Sequence, residues 1–348
     1  MSKYIITIIT LTTFLVISCT SSRKLGTSQI PQNLRIMFYN VENLMDTLDN
    51  PLTDDDEFTP NGKNKWVTER YYKKLDNLSD VVAALEYPAL IGLSEIENRA
   101  VLDDFIKTQK MSPQKYEIVQ YESPDHRGID VALLYRSEVF KILKSEPINV
   151  AIPSDARPAD EDGKTRDILH VQGIVGKNDT LHIFVNHWPS RRDGKEKSEP
   201  KRIFAAQQLR KQVDNLLAKN SNVNIIITGD FNDEPTDNSI TTTLMAKNWT
   251  EPFSTNALIN LAYPLNDQGK GSYNYRGSWD CIDQMITSAA LKNHKNNINV
   301  TAFNIFDAEW LLFDDKKFGK TPNRTYGGPN YYGGYSDHLP IYGDFLVK

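Results

Sequence analysis

The chain has 348 residues, of which 39% are hydrophobic and 24% are charged, so it can bury a large core without a disulfide framework. It has only two cysteines, which excludes a small disulfide-stapled scaffold. Its net charge of -5 gives no overall support to a nucleic-acid binder, because such proteins usually carry a basic surplus.

A short apolar segment opens the chain. Lys3 is the only charged residue before Cys19, and residues 4–18 are mostly Ile, Leu, Val, Phe and Thr. The segment is too short to span a bilayer comfortably, but its length is typical of a signal-peptide core. Its last residues, Val16-Ile17-Ser18-Cys19, resemble a bacterial lipobox, in which the cysteine is lipidated and becomes the first mature residue. An ordinary signal peptide with a coincidental cysteine is the alternative.

We therefore predict three regions along the chain. A lipoprotein signal peptide covers residues 1–18, a polar tether covers residues 19–31, and one folded domain covers residues 32–348. Lipidation at Cys19 would hold the protein at the cell envelope, on the periplasmic or the outer-membrane face. We expect membrane contact through this anchor only, and we expect the folded domain to be a monomer.

Short apolar runs rich in β-branched and aromatic residues predict buried strands. The runs are 34–41, 89–96, 130–135, 168–175, 181–188, 223–228, 283–287 and 340–347. Apolar residues at three- and four-residue steps predict helices over 72–85 and 203–216. Strands and helices thus alternate irregularly, which indicates an α/β fold with mixed sheets.

Stretches rich in polar residues or glycine predict long surface loops over 50–65, 190–200 and 319–336. The first of these contains an acidic run, residues 54–57. This run lacks the glycine and the terminal glutamate of an EF-hand loop, so we interpret it as solvated rather than as a calcium site.

Polar side chains follow four of the predicted strands, at the point where each strand ends. The residues concerned are Asn40 with Glu42, Glu95, His187, and Asp230 with Asn232. A polar residue that simply leaves the core would explain any one of these cases. Sites in open α/β sheets, however, commonly form outside the carboxyl ends of the strands. Four such ends therefore predict one convergent polar cluster.

Taken in order, these segments resemble the endonuclease/exonuclease/phosphatase family. The segments are Asn40-Val41-Glu42-Asn43, Ser94-Glu95-Ile96-Glu97, Asn186-His187, Gly229-Asp230-Phe231-Asn232, Asp283-Gln284 and Ser336-Asp337-His338. The first of them looks most like the family's bacterial secreted-nuclease branch. The resemblance implies a four-layer sandwich, in which two mixed β-sheets pack face to face with helices outside. It also implies a divalent-metal-dependent phosphoesterase.

The resemblance assigns metal-binding roles. Glu95 matches the principal metal-ligating glutamate, and Glu42, Asn40 and Asp337 match positions near the metal or in its outer shell. Carboxylate and amide oxygens are hard ligands that suit Mg²⁺, or Mn²⁺ or Ca²⁺ in its place.

The resemblance also assigns catalytic roles. Asp230 would orient and deprotonate the attacking water, and Asn232 would hold the same water or a non-bridging phosphate oxygen. His338 matches the histidine that contacts the scissile phosphate. Asp283 would hydrogen-bond the second ring nitrogen of His338 and fix its tautomer.

A second histidine separates the branches of the family. His187 matches the one used by deoxyribonuclease-like and sphingomyelinase-like members, and Asp130 is a candidate partner for it. Arg166 looks like the phosphate-binding arginine of the deoxyribonuclease branch, although a surface salt bridge would explain it equally well. Arg191 is a further candidate for substrate binding. The other histidines match no functional position: His126, His170, His182 and His294.

The favoured function is a nuclease that acts on DNA or RNA outside the cytoplasm. The segment from Arg191 to Arg202 has six basic and three acidic residues, so it is expected to place a positive field at the mouth of the site. A solvated loop is the other interpretation. Tyrosines near His338 would either stack on bases or pack against the domain: Tyr326, Tyr331, Tyr332 and Tyr335.

A lipid or inositol phosphoesterase is the alternative, because the same metal centre acts on any phosphate. A binding module that has lost activity is a third hypothesis. The intact set of Glu95, His187, Asp230 and His338 argues against it.

Overall fold

The computed structural model describes residues 33–192, 194–250, 252–293 and 296–348. The predicted signal peptide, the tether and the lipidation site at Cys19 lie outside these residues, as does His294. None of the helices within the described ranges is long and apolar enough to cross a membrane.

Two large sheets form the body of the protein, and their strands are numbered here in chain order. The first sheet contains β1 (Asn33–Leu44), β2 (Leu90–Ile96), β3 (Tyr116–Gln120), β4 (Asp130–Arg136), β14 (Ile298–Ile305) and β19 (Ile341–Val347). The second contains β5 (Phe140–Ile148), β6 (Ile168–Val175), β7 (Asp179–His187), β8 (Asn224–Asp230), β9 (Ala246–Asn248), β10 (Leu258–Asn260) and β13 (Asp283–Ser288).

Both sheets are mixed. The first has the order β14-β19-β1-β2-β4-β3, and the second has the order β5-β6-β7-β8-β13-β10-β9. The pairs β1–β2, β7–β8 and β9–β10 are parallel, and the remaining neighbours are antiparallel. The parallel pairs matter for function, because they bring two carboxyl ends to the same edge of each sheet.

Three small hairpins complete the β-structure of the described chain. They are β11–β12 (Tyr273–Tyr275 and Ser278–Asp280), β15–β16 (Leu312–Asp315 and Gly319–Pro322) and β17–β18 (Tyr326–Gly327 and Asn330–Tyr331). The α-helices are α1 (Thr68–Ala84), α2 (Arg99–Lys107), α3 (Lys195–Lys219) and the single turn α4 (Tyr263–Asn266). The side chain of Asn98 caps α2, because it accepts hydrogen bonds from the first helical amides.

The layers follow from where the apolar side chains point. Residues such as Phe38 and Ile183 fill the space between the two sheets. Leu75 of α1 packs on the outer face of the first sheet, and Leu209 of α3 packs on the outer face of the second. The predicted four-layer sandwich, with helices outside two mixed sheets, is confirmed.

The strands that the sequence did not predict are largely the outermost ones. Among the longer strands, β3, β5 and β14 were missed, and each lies at the edge of its sheet. An edge strand needs apolar residues on one face only, and its exposed face tolerates charge. In β5, Lys141, Lys144 and Glu146 break the apolar run that would have marked a buried strand.

The predicted loop over 190–200 is wrong in its second half, because α3 begins at Lys195. Arg202 stabilises this first part of the helix. Its guanidinium is wholly buried, donates to the carbonyl of Lys195 and to the hydroxyl of Ser198, and lies 2.7 Å from Asp233. Tertiary burial of a charged side chain thus orders a segment whose composition alone is typical of a loop.

Candidate active site

Strand register brings three of the predicted residues side by side. In the parallel β7–β8 pair, His187 lies opposite Asp230, and in the antiparallel β8–β13 pair, Asp283 lies opposite the same Asp230. Close pairing of β7 and β8 requires glycine before Asp230, because a Cβ atom on Gly229 would lie 2.3 Å from the carbonyl oxygen of Asn186.

The first sheet contributes the opposite wall through β1 and β2. Asn40 pairs with Ser94, and Glu95 follows directly. The backbone is unusual there, because Glu42, Asn43 and Glu95 have φ angles of 51°, 50° and 63°. Such left-handed conformations cost energy outside glycine and cluster at functional sites. At this edge they let the amide of Asn43 donate to the Glu95 carboxylate at 2.9 Å.

Asp230 is the hub of the cluster. Its Oδ2 atom accepts a hydrogen bond from the Asn40 side-chain amide at 3.0 Å and lies 3.6 Å from Nε2 of His187 and 3.9 Å from Nε2 of His338. Its Oδ1 atom accepts from the backbone amide of Asn232 at 2.9 Å. Burial and the like charge of Asp283 raise the pKa of Asp230 to about 7. Asp230 can therefore exchange a proton near neutral pH.

His338 is paired with a buried carboxylate. Its Nδ1 atom lies 2.6 Å from Oδ2 of Asp283, and both side chains are buried. Burial alone would lower the pKa of His338, but the charge of Asp283, the hydrogen bond to it, and the nearby Asp230 raise that pKa to about 10. The expected pairing of Asp283 with His338 is present, and it leaves the Nε2 side of the ring facing Asp230.

His187 differs from His338 because it is neutral. Burial, and then the positive charges of Arg166 and Arg127, lower its pKa well below the usual range. Its Nδ1 atom has no hydrogen-bond partner within the described chain. The predicted pairing with Asp130 is therefore absent.

Asp130 is engaged elsewhere. Its carboxylate accepts hydrogen bonds from the amide and hydroxyl of Ser123, at 2.8 and 2.5 Å, and from the side chain of Gln120, at 2.7 Å. Asp130 begins β4, as predicted, but its hydrogen bonds stabilise the adjoining loop and do not reach the imidazole of His187.

A divalent metal fits the donor set of this cluster. Glu95 and Asp337, which line the same cleft as Asp230, carry carboxylate oxygens, and these are the ligands that Mg²⁺ prefers. A second group, Asp230, Asp283 and His338, brings ligand atoms within 4.8 Å of one another. We favour Glu95 and Asp337 because both line the cleft, whereas Asp283 does not, and Oδ2 of Asp283 already accepts hydrogen bonds from both His338 and Ser272. Oδ2 of Asp337 accepts a hydrogen bond from Arg324.

Glu42 does not line the cleft. Its carboxylate accepts hydrogen bonds from the backbone amides of Thr325 and Tyr326, at 2.6 and 3.3 Å. Burial, and then the charge of Asp337, raise its pKa to about 7. The structure thus gives Glu42 a supporting place beneath the segment that leads to His338.

The cleft is about 730 Å³ in volume, and arginines form part of its wall. Arg166 is buried and donates to Asp125 at 3.0 Å and to the carbonyl of Trp188 at 2.6 Å. Arg127 lies 3.7 Å from the same Asp125, so one carboxylate holds two guanidinium groups beside His187. Arg166 is therefore held by a buried ion pair, not by a surface one. Asp125 and Arg127 were not predicted as functional from the sequence.

Arg191 also lines the cleft, but acidic residues neutralise its charge. It donates to the carbonyl of Asn232 at 2.5 Å and contacts Asp237 and Asp280 at 3.2 and 3.3 Å. The positive field predicted for the segment from Arg191 to Arg202 is reduced in the same way. Other basic residues of this segment pair with acids: Lys195 with Asp237, Lys201 with Glu161, and Arg202 with Asp233.

The predicted tyrosines do not line the cleft. Tyr326 and Tyr331 pack against the core around Trp66, and Tyr335 packs on Trp310. Other aromatic residues take their place, because Tyr273 and Tyr275 line the cleft from the hairpin β11–β12. The missed signal is an alternating Tyr-Asn-Tyr strand followed by Arg276-Gly277, a two-residue turn with φ angles of 53° and 94°.

Comparison with known proteins agrees with this geometry. A profile described as the Endonuclease/Exonuclease/phosphatase family matches residues 35–346. The chain belongs to this family. Members of this family depend on a divalent metal, and the family match supports the phosphoesterase activity that the sequence implied. No curated protein matches the chain significantly.

Several solved structures of the endonuclease/exonuclease/phosphatase fold are similar. D. rerio TDP2, complexed with a single-strand DNA product, is 16% identical, with a TM-score of 0.53 over 90% of this chain and 99% of that one. The mannosyl-6-phosphatase of Bacteroides thetaiotaomicron is 15% identical, with a TM-score of 0.55 over 90% and 100%. The human Nocturnin catalytic domain is 18% identical, with a TM-score of 0.51 over 91% and 95%. At these identities the similarity shows the fold alone.

Proposed function

We propose that this protein is a divalent-metal-dependent phosphodiesterase that hydrolyses DNA or RNA. The observation that carries the proposal is the placement of the buried Asp230 between two imidazoles, with its Oδ2 atom 3.6 Å from Nε2 of His187 and 3.9 Å from Nε2 of His338. Phosphodiester hydrolysis needs an oriented water, charge stabilisation at the phosphate and a proton for the leaving oxygen.

Different residues of the cluster meet these three requirements. Asp230, with a pKa of about 7, orients the water and accepts its proton, and Asn40 holds the carboxylate in place. The imidazolium of His338 faces the same point and stabilises negative charge on the phosphate oxygens. A metal held by Glu95 and Asp337 would add charge stabilisation when bound.

His187 is assigned to the leaving oxygen. Its imidazole is 2% exposed at the side chain, and this burial, followed by the charge of the Arg166 guanidinium, lowers its pKa. An anionic phosphate beside the ring would oppose that lowering. Substrate binding would therefore favour the protonated form that a general acid requires.

The walls of the cleft support a substrate with both a phosphate and an aromatic ring. Arg127 and Arg166 offer guanidinium groups to the cleft, and Tyr273 and Tyr275 offer aromatic rings. The Tyr275 side chain is 54% exposed, so it is accessible to a base. TDP2, a structural relative, has been seen with a single-strand DNA product. We therefore favour single-stranded nucleic acid over an intact duplex.

A small phosphorylated sugar or inositol is the second candidate. It is favoured by the ion pairs of Arg191 and Lys195, which remove much of the positive surface that a long polymer would follow. A mannosyl-6-phosphatase is among the structural relatives. No feature of the described residues favours a lipid substrate.

We also propose that the protein acts outside the cytoplasm as a monomer, held by a lipid on Cys19. The proposal rests on the lipobox-like residues 16–19 and on the polar residues 20–31 that follow them.

A substrate panel tests the function. Purified protein with Mg²⁺ or Mn²⁺ is assayed on single-stranded DNA, plasmid DNA, RNA, inositol phosphates, mannose 6-phosphate and sphingomyelin, with D230N as the inactive control. We expect hydrolysis of single-stranded nucleic acid, abolished by EDTA and restored by the metal. Turnover of mannose 6-phosphate alone would select the second candidate. Full activity in excess EDTA would exclude the metal-dependent mechanism.

A further inference from the structure

Ser272 joins the hairpin β11–β12 to the pair formed by Asp283 and His338. Its hydroxyl donates to Oδ2 of Asp283 at 2.5 Å, and the Nδ1 atom of His338 bonds to that same oxygen at 2.6 Å. The amide of Asp283 also donates to the Ser272 hydroxyl, at 3.3 Å. Ser272 is fully buried. One carboxylate oxygen is thus fixed between a hydroxyl and an imidazolium.

The backbone around Ser272 repeats the connection. Its carbonyl accepts from the amide of Leu339 at 2.7 Å, and its amide donates to the carbonyl of Asp280 at 3.1 Å. The next residue, Tyr273, forms a β-bridge with His338, and their rings lie 4.9 Å apart. The start of the hairpin and the residues around His338 are therefore one hydrogen-bonded unit.

We propose that Ser272 is a positioning residue for the hydrolytic reaction. It acts through Asp283 to hold the His338 ring in the orientation that directs Nε2 toward Asp230 and the substrate phosphate. It does not touch the substrate, because neither Ser272 nor Asp283 belongs to the described lining of the cleft.

Ser272 restricts the rotation of the Asp283 carboxylate. A carboxylate with a single partner can rotate about its χ2 bond and carry the imidazole with it. Oδ1 of Asp283 has no hydrogen-bond partner among the described residues. The two hydrogen bonds that Oδ2 accepts from side chains therefore determine how the carboxylate is oriented. Removing one of them leaves His338 as the only side-chain partner. This inference rests on the proposed role of His338, but it concerns the Ser272 bond itself.

The loss should appear in turnover and not in substrate binding. A hydrogen bond to a charged group is typically strong enough that its loss changes a rate roughly 10- to 100-fold. We expect S272A to lower kcat by about this factor and to leave KM near the wild-type value. The control is S278A, which removes an exposed serine from the same hairpin and should change neither.

The decisive experiment follows the His338 Nδ1 proton by NMR in metal-free protein, alongside the kinetics. The proton should exchange with water faster in S272A than in wild type or S278A, while the far-ultraviolet spectrum stays unchanged. If S272A does not fold, S272C is used, since its thiol keeps the volume and is only a weak donor. Unchanged exchange and unchanged kcat in a folded variant would overturn the inference. If no panel substrate is hydrolysed, the proposed function fails, and the exchange rate still decides the role of Ser272.

Discussion

Asp230 and Asp283 lie directly opposite each other in the antiparallel β8–β13 ladder. Burial, and then the like charge of Asp283 at the same register position, raise the pKa of Asp230. Strand pairing, which is set by the backbone, thus contributes to the protonation behaviour of the proposed base.

The pH dependence of hydrolysis should reveal this pair. Asp230 is active as a base only when deprotonated, so kcat/KM should rise with pH through about 7 at low metal concentration. Bound metal opposes the repulsion, so saturating Mg²⁺ should move this limb to lower pH. D283N removes the like charge but also the carboxylate that keeps His338 protonated, so its two effects on this limb oppose each other, and the maximum should fall because His338 loses its partner. A limb that saturating Mg²⁺ leaves unmoved would contradict the assignment of Asp230.

The histidine His187 should be distinguishable from Asp230 by leaving-group dependence. Removing a positioned acid or base typically costs roughly 10²- to 10⁴-fold in rate. We expect H187A and D230N each to lose that much on an oligonucleotide. On a nitrophenyl phosphodiester, whose leaving group needs no proton, the H187A defect should shrink and the D230N defect should persist. The exposed His126, changed to alanine, is the control. Equal losses of H187A on both substrates would leave it as a stabiliser of charge and not an acid.

Tyr275 should determine the preference for substrates that carry a base. Stacking on an aromatic side chain contributes roughly 1–3 kcal/mol per base, which corresponds to a change in KM of about 5-fold or more. We expect Y275A to raise KM for single-stranded DNA and to leave the KM for a phosphodiester without any aromatic ring unchanged. Y332A is matched to it, because Tyr332 is 58% exposed but lies outside the cleft lining. Equal effects of both variants would argue against a stacking role.

A histidine pair far from the cleft predicts how stability depends on pH. The rings of His170 and His182 stack 5.3 Å apart on the outer side of β6 and β7, and burial with the neighbouring His170 lowers the pKa of His182 from 6.5 to about 4. The unfolded chain therefore binds a proton at His182 at pH values where the folded protein does not. Stability from this site is complete above pH 6.5 and falls as the pH drops toward 4. Thermal melts of H182Q should show a shallower decline over that window than wild type, and H126Q should not.

Anchoring by Cys19 is tested in the native host. Wild type should fractionate with membranes and incorporate a fatty-acid analogue, and C19A should do neither. C281A is the control, since Cys281 is a buried free thiol. A wild-type protein that takes up no label would contradict the lipobox interpretation.

The sequence predicted the residues at the centre of the site because local signals accompany them. Asp230 ends the apolar run of residues 225–227 after a glycine, and His338 precedes the last strand. The residues that carry these signals meet in the fold because parallel strands place their carboxyl ends at one edge of the sheet. The sandwich was predictable because buried strands appear in the sequence as apolar runs.

What the sequence could not predict depends on contacts between distant positions. The charge of Arg191 is cancelled by Asp280, 89 residues away, and Arg202 is buried by Asp233. Composition shows the arginines and the acids but not which of them meet. Tyr275 is on the cleft only because the short hairpin β11–β12 folds back beside His338, and such three-residue strands carry little periodic signal.

The direction of β1 has a consequence for how an anchored molecule would face its surroundings. The strand enters the sandwich at Asn33 and delivers Asn40 to the cleft, so seven residue steps, or roughly 23 Å at the usual rise of a strand, separate the two ends. A lipid attached ahead of Asn33 would hold the body by the end that is remote from the chemistry. The cleft would then open away from the membrane, where a polymer in solution can reach it without meeting the lipid surface.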